Sequence, residues 1–165
     1  MTGFILPFIA ILSGAIALVS LKRGPIFLPT RDRALRSAIG RLRIISGERA
    51  IDLGSGNGKV VIALARAGAV AHGYEHNPFL IWWSRRAVRK AGLADRAFIH
   101  RGNFWNCDLS GFSAVTIFGV PYIMARLERK LEREARAGTR LASYLFALPR
   151  RAPVFKENGV FFYKF

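Results

Sequence analysis

The hydrophobic and polar positions along the chain follow two repeating patterns. Short apolar runs bounded by glycine or proline predict strands, and amphipathic stretches between them predict helices. The predicted strands are 49–53, 70–75, 97–101, 115–118 and 141–146, followed by a hairpin over 153–165. The predicted helices are 31–44, a segment that starts after Gly58, 78–91 and 122–137. Strand, helix and strand in this order form the βαβ unit of a parallel sheet, so the pattern predicts an α/β fold.

The first 21 residues differ from the rest, because none of them is charged. A helix of that length spans about 30 Å, which is the thickness of the hydrocarbon core of a bilayer. Lys22 and Arg23 follow at once, and short basic flanks stay on the cytoplasmic side. We therefore expect residues 1–22 to be a single-pass membrane anchor. A cleaved signal peptide is the alternative, but no Lys or Arg precedes the apolar run.

The remaining chain divides into two parts. Residues 23–45 combine a linker broken by two prolines with an amphipathic basic helix, whose N-terminal cap we expect at Thr30. Residues 46–165 then form one folded domain, since 165 residues in total suffice for one buried core.

Charge and composition narrow the choice of partner. The chain carries 26 Lys and Arg against 10 Asp and Glu, a formal net charge of +16, and its mean hydropathy is +0.22. This charge favours an anionic partner, and the hydrophobic anchor favours a lipid surface over nucleic acid or an acidic protein. The single cysteine, Cys107, excludes an internal disulfide and is expected to be a small, partly buried side chain and not a nucleophile. The three histidines lack metal-ligand spacing, so we expect no metal.

A glycine-rich turn after the first strand carries the candidate chemistry. Three glycines permit a sharp turn and a close approach to a ligand at the strand ends. Glu75 ends the second strand, 21 positions after Gly54, where an acid can bind both ribose hydroxyls. Asp52 can hold the amides of the loop or meet the ammonium group of the ligand. The spacing is not that of a dinucleotide or a P-loop site, and a buried acid suits a cationic cofactor.

Other side chains extend this site. Asn103 follows the third strand, where it can hydrogen-bond an adenine edge, and Asn77 is placed to cap a helix. The predicted cofactor-binding residues are Asp52, Gly54, Ser55, Gly56, Asn57, Gly58, Glu75, Asn77 and Asn103.

A substrate should reach the bound cofactor at the end of the fourth strand. The candidates for lining its channel are Thr30, Trp105, Phe118, Pro121 and Tyr122. No His or carboxylate has the position of a general base. Trp82 and Trp83 favour a core or membrane-interface position over a contact with substrate.

The motifs resemble a known family, the membrane-anchored seven-strand S-adenosylmethionine-dependent protein-lysine methyltransferases. That family modifies the ATP synthase c-subunit and the adenine nucleotide translocase, and it has prokaryotic relatives. The matching pieces are Pro29-Thr30, 51–58, 73–78, Phe104-Trp105, 117–121, 127–131 and 146–149. The family usually has Asp where this chain has Asn57 and Asn103.

The resemblance implies a Rossmann-like seven-strand sheet and S-adenosylmethionine as cofactor. It also implies that the acceptor is a lysine of an integral membrane protein, on the cytoplasmic or matrix side. Two alternatives stay open. The charge of +16 suggests an RNA methyltransferase, although the turn at 119–122 lacks the amide that grips a planar nitrogen. The presence of Asn57 and Asn103, where the family usually has Asp, suggests a membrane module that binds the cofactor without catalysis.

Overall fold

The computed structural model describes residues 31–165, which contain one seven-stranded sheet. Its strand order is β3-β2-β1-β4-β5-β7-β6, and β7 runs antiparallel to β5 and β6. The strands are β1 Arg49–Leu53, β2 Val70–Glu75, β3 Ala97–Arg101, β4 Ala114–Phe118, β5 Arg140–Tyr144, β6 Phe155–Glu157 and β7 Val160–Lys164. The helices are α1 Asp32–Leu42, α2 Lys59–Arg66, α3 Pro78–Lys90 and α4 Pro121–Glu134, with a 3-10 turn at Phe104–Asn106. The predicted α/β fold with a seven-strand sheet is confirmed.

The predicted membrane anchor lies outside the described residues, as does Thr30. Within 31–165, the helices are too short or too polar to cross a bilayer.

Apolar side chains from the two faces of the sheet form two cores. Helices α1, α2 and α3 cover one face, with Leu42, Leu64 and Val88 in its core. Helix α4 covers the other face, where Leu127 and Leu131 pack on the central strands. Because successive side chains of a strand point to opposite faces, the apolar run of β1 supplies both cores.

Several element ends differ from the sequence prediction because the backbone turns earlier. Helix α1 stops at Leu42, since Arg43 adopts the left-handed conformation with φ 46°. Helix α4 ends at Glu134, because Ala135 is extended with ψ 135°, and β5 ends before Leu145, where φ is 72°. The cap of α1 is Arg31, which makes no side-chain cap hydrogen bond, so the expected Thr30 cap is wrong.

The predicted C-terminal hairpin is confirmed. Asn158 and Gly159 form its two-residue turn with φ 50° and 77°, the combination of a type I′ turn.

Polar contacts fix α1 against the sheet. The guanidinium of Arg140 donates to the carbonyls of Leu42 and Arg43 at 2.6 and 2.8 Å, and it also pairs with Glu48. These bonds satisfy the carbonyls at the end of α1. At the other end, Asp32 pairs with Lys59 Nζ at 2.6 Å. Helix α1 therefore begins beside the first turn of α2.

Gly73 leaves no room for a side chain. A Cβ atom there would lie 2.6 Å from Ser55 Cβ and 2.7 Å from Val61 Cγ2. We expect Gly73→Ala to lower the free energy of unfolding by about 1–3 kcal/mol, because Ser55 and Val61 must move. Urea unfolding of the detergent-solubilised full chain measures this change.

Gly40→Ala is the matched control. Its Cβ would meet nothing within 4 Å, so the helix propensity of Ala should raise the stability by up to about 1 kcal/mol. Equal effects of the two substitutions would contradict the packing described here.

Candidate functional site

The site lies where the strand order reverses. Strands β1 and β4 are neighbours at the centre of the sheet. The chain leaves β1 toward β2 on one side and leaves β4 toward β5 on the other side. Crevices at the carboxyl ends of such strands are the usual ligand sites of open α/β sheets. The glycine loop after β1 and the turns after β2, β3 and β4 all lie at this edge.

The glycine loop needs backbone angles that other residues rarely adopt. Gly54, Gly56 and Gly58 have φ values of 88°, 51° and 80°. The N–H groups of Gly54 and Ser55 both donate to the carbonyl of Tyr74, at 3.1 and 2.9 Å. A Cβ atom on Gly54 would meet nothing within 4 Å, so the loop leaves open space above this residue.

Glu75 organises the loop. Its Oε2 accepts from the N–H of Gly56 at 3.0 Å, and its Oε1 accepts from the N–H groups of His76 and Asn77 at 2.9 Å each. The side chain is only 7% exposed. These three backbone donors satisfy most of the hydrogen-bonding capacity of the buried carboxyl group and fix its position. The sequence suggested that Asp52 either holds the loop amides or meets the ammonium group of the ligand. In the structure, Glu75 holds the loop amide of Gly56.

Asp52 has a different environment. The register pairs it with Thr116 of β4, whose hydroxyl donates to Asp52 Oδ1 at 2.8 Å. Burial raises the pKa of Asp52 to about 7, the Thr116 hydrogen bond opposes this, and the nearby charge of Glu75 adds to it. A carboxyl group with this pKa is readily ionised by a cation that binds beside it.

Ser55 supplies a further polar group. Its Oγ is buried and has no hydrogen-bond partner among residues 31–165. An unsatisfied buried hydroxyl costs about 1–3 kcal/mol, so this atom is a candidate contact for a ligand in the crevice.

The three predicted asparagines share one local role. In each, the side-chain oxygen accepts a backbone N–H of the following helical turn: Lys59 at 3.2 Å for Asn57, Phe79 at 2.9 Å for Asn77 and Trp105 at 3.1 Å for Asn103. The predicted cap at Asn77 is confirmed. An Asp oxygen would accept the same hydrogen bonds. The presence of Asn57 and Asn103, where the family usually has Asp, therefore leaves these turns intact.

The candidate acceptor residues lie on turns at the same edge. Pro121 opens α4, and Tyr122 beside it is 62% exposed. Trp105 is half-buried, with the Arg126 guanidinium 4.2 Å from its ring centroid. Phe118 ends β4 and packs edge-on against Tyr144 at 5.1 Å.

Sequence reasoning missed two buried polar residues that hold other parts of the chain in place. Thr116 was part of an apolar run, and its partner Asp52 is 64 positions away. Glu128 is 1% exposed and accepts the N–H groups of Arg150 and Arg151, which fixes the loop after β5. Only the match of 127–131 to the family hinted at Glu128.

Cys107 and the two tryptophans of α3 differ in their burial. Cys107 is 8% exposed, so it is more fully buried than the partial burial that was expected. Trp82 and Trp83 are 58% and 52% exposed, so a core position for them is wrong.

Known proteins resemble this chain in sequence. The model of the ANTKMT methyltransferase domain matches residues 52–155. The lysine N-methyltransferase of the ATP synthase c-subunit from Mus musculus is 39% identical over 127 residues, which are 77% of this chain and 51% of that protein. A protein-lysine N-methyltransferase of Saccharolobus islandicus is 32% identical over 74% of this chain and 77% of its own length.

Solved structures resemble it too. An RNA methyltransferase from Salinibacter ruber, crystallised with S-adenosyl-L-homocysteine, superposes with a TM-score of 0.79. It is 28% identical in sequence, and the match covers 83% of this chain and 93% of that one.

The family match covers more than half of the chain and includes the end of β1 with Asp52, the glycine loop and Glu75. The chain spans about half the length of the mouse relative that it matches. On these grounds, the chain belongs to the ANTKMT methyltransferase domain family.

Proposed function

We propose that the chain is an S-adenosylmethionine-dependent methyltransferase that acts on a lysine of a membrane-associated protein. The observation that carries this proposal is the pair of buried carboxylates, Asp52 and Glu75, beside the glycine loop of a domain of this family. The names of the relatives support the lysine acceptor, since those from mouse and Saccharolobus islandicus are both lysine N-methyltransferases.

The residues of the crevice fit a cationic nucleoside. Asp52 is buried and has a pKa of about 7, so a cation beside it gains a favourable partner. Gly54 leaves space above the loop, and Ser55 Oγ needs a partner. S-adenosylmethionine would supply a methyl group on a sulfonium, together with ribose hydroxyls and an ammonium group.

Each carboxylate has a separate task in this proposal. An ionised carboxylate offers about four lone-pair sites, and the three backbone N–H groups that Glu75 accepts use three of them. Glu75 therefore keeps capacity to accept from a ribose hydroxyl while it holds the loop. Asp52, which has a single hydroxyl donor in Thr116, meets the cationic end of the ligand.

The acceptor side mainly positions the amine. Methyl transfer is an in-line displacement, so orientation and a neutral amine supply most of the rate. Arg126, whose guanidinium stacks on Trp105, adds positive charge to this rim. Nearby positive charge lowers the pKa of a lysine amine and favours its nucleophilic form.

The proposed location is a membrane surface. The uncharged residues 1–21 have the length of a membrane-spanning helix, and the net charge of +16 suits an anionic leaflet. In this arrangement residues 1–22 anchor the chain in a single pass, and residues 46–165 lie on the cytoplasmic or matrix side.

RNA methylation is the second candidate function. The similarity to the Salinibacter ruber RNA methyltransferase and the high positive charge favour it. The turn Gly119-Val120-Pro121-Tyr122 argues against it, because no side-chain amide is present to hold a planar base nitrogen.

Incubation of the full chain with methyl-labelled S-adenosylmethionine and native membranes tests the first proposal. We expect label on lysine of a small integral membrane protein. Asp52→Ala or Glu75→Ala should reduce the labelling at least about tenfold, because each removes a buried charged partner worth about 1.5–3 kcal/mol.

Asp95→Ala is the control, since Asp95 is an exposed acid that pairs with Arg96 at the surface. Label in added RNA instead of protein would support the second candidate. Undiminished labelling by both pocket variants would contradict the assigned pocket.

The pKa of Asp52 predicts a pH-dependent stability. The folded-state pKa of about 7 lies above the ordinary value of 3.8. The folded chain thus holds this proton more tightly than the unfolded chain, and the associated stability is lost as the pH rises from about 4 to 7. Between pH 5 and 8, the wild type should lose about 2–3 kcal/mol more than Asp52→Asn.

Urea unfolding of both proteins at pH 5 and pH 8, without added ligand, measures this difference. Asp95→Asn serves as the control and should follow the wild type. Parallel pH profiles for wild type and Asp52→Asn would show that Asp52 titrates normally.

A further inference from the structure

The first two turns of α3 expose an aromatic patch. Phe79, Trp82 and Trp83 are 58%, 58% and 52% exposed. Their rings lie together, with the Phe79 centroid 6.2 Å from that of Trp82 and 5.8 Å from that of Trp83. Large apolar side chains that cluster in water usually mark an interaction surface.

The same helix becomes basic toward its end. Its inward side chains Ile81, Ser84 and Val88 are buried, whereas the exposed side chains of its last two turns include Arg86, Arg89 and Lys90. At a rise of 1.5 Å per residue, these cations begin about 5 Å beyond the rings and reach about 10 Å beyond them. We call the three aromatic and three basic residues the α3 face.

A bilayer surface likewise has an apolar zone beside a zone of charged groups. Tryptophan rings sit at the boundary between acyl chains and headgroups, and basic side chains bind the phosphates. Apolar anchors with adjacent cations are typical of helices that lie in this zone, where each Lys or Arg near an anionic leaflet adds about 1 kcal/mol.

The position of the α3 face matches the expected site of a membrane. Helix α3 starts directly after β2, so its rings lie at the carboxyl edge of the sheet, near the glycine loop. Trp83, Asp32 and Asn57 line one groove, which places the start of α1 beside the patch. Ten residues, 22–31, separate the uncharged segment from α1, and they span at most about 35 Å.

We propose that the α3 face docks on an anionic lipid bilayer, with its rings in the interface and its cations at the headgroups. This inference rests on the proposed function and adds an orientation to it. The carboxyl edge of the sheet, with Tyr122, turns toward the bilayer. The lysine that is methylated then lies at the level of the membrane surface.

The natural tryptophans test this docking directly. The chain has three, Trp82, Trp83 and Trp105, so none lies in residues 1–21. The full chain is reconstituted into phosphatidylcholine–phosphatidylglycerol vesicles with or without bromine on the acyl chains. We expect bromine to quench the wild-type fluorescence. The variant Trp82→Phe/Trp83→Phe, which keeps an apolar face and only Trp105, should lose most of that quenching.

Absence of quenching in the wild type, or equal fractional quenching in the Phe variant, would overturn the proposal. Because phenylalanine preserves the apolar character, this comparison does not depend on a variant that loses its fold.

A second arm measures function. Phe79→Ser/Trp82→Ser/Trp83→Ser should reduce labelling of the membrane protein about tenfold, or about 1.4 kcal/mol, with unchanged binding of labelled S-adenosylmethionine. Ile45→Ser/Val154→Ser is the control, since these apolar side chains are 67% and 71% exposed elsewhere. Its labelling should equal that of the wild type.

The two arms separate the possible failures. Quenching without lysine labelling supports the α3 face and contradicts the proposed function. Labelling without quenching contradicts the α3 face and leaves the proposed function standing. If the Ser variant loses labelling although bromine quenches neither protein, the patch binds the substrate protein and the lipid assignment is wrong.

Discussion

Two carboxylates buried beside one glycine loop are the constraint on which the site depends. Their environments are unequal, although both lie at the ends of central strands of the same sheet. Glu75 accepts three backbone N–H groups, whereas Asp52 receives the hydroxyl of Thr116. Burial with a single hydroxyl donor favours the protonated form of Asp52, whose pKa is raised to about 7. Glu75 therefore shapes the loop, and Asp52 remains available for a cation.

The sheet topology creates this inequality. Strand β1 lies between β2 and β4, so a parallel register brings Thr116 against Asp52 and Tyr74 against the glycine loop. The same reversal of strand order leaves a crevice at the carboxyl edge. The segment that follows β5 is fixed by a buried polar contact, because Glu128 accepts the N–H groups at 150–151. The fold thus places the acids, and the acids define the chemistry of the crevice.

The sequence alone predicts much of this arrangement, because local rules determine it. Apolar runs located the strands, the positive φ values of the loop require glycines, and Asn77 before Pro78 is a local cap signal. The role of Thr116 was not predictable, since it depends on a register between residues 64 positions apart. The exposure of Trp83 depends on which helix face meets the sheet, and aromatic residues suit a core equally well. The early end of α1 at Leu42 was likewise not predictable from local sequence, since Arg140, 98 positions from Leu42, donates to the carbonyls of Leu42 and Arg43.

The charge state of Asp52 is the most direct test of the account. A ¹³C-NMR titration of the side-chain carboxyl groups, assigned with Asp52→Asn, follows it through pH 4 to 9. In the ligand-free protein, the pKa of Asp52 should be about 7. Saturating S-adenosylmethionine should lower that pKa by about one unit or more, because a cation beside the carboxylate favours its ionised form. An Asp52 pKa near 4 in the free protein, or one that the ligand leaves unchanged, would contradict the account.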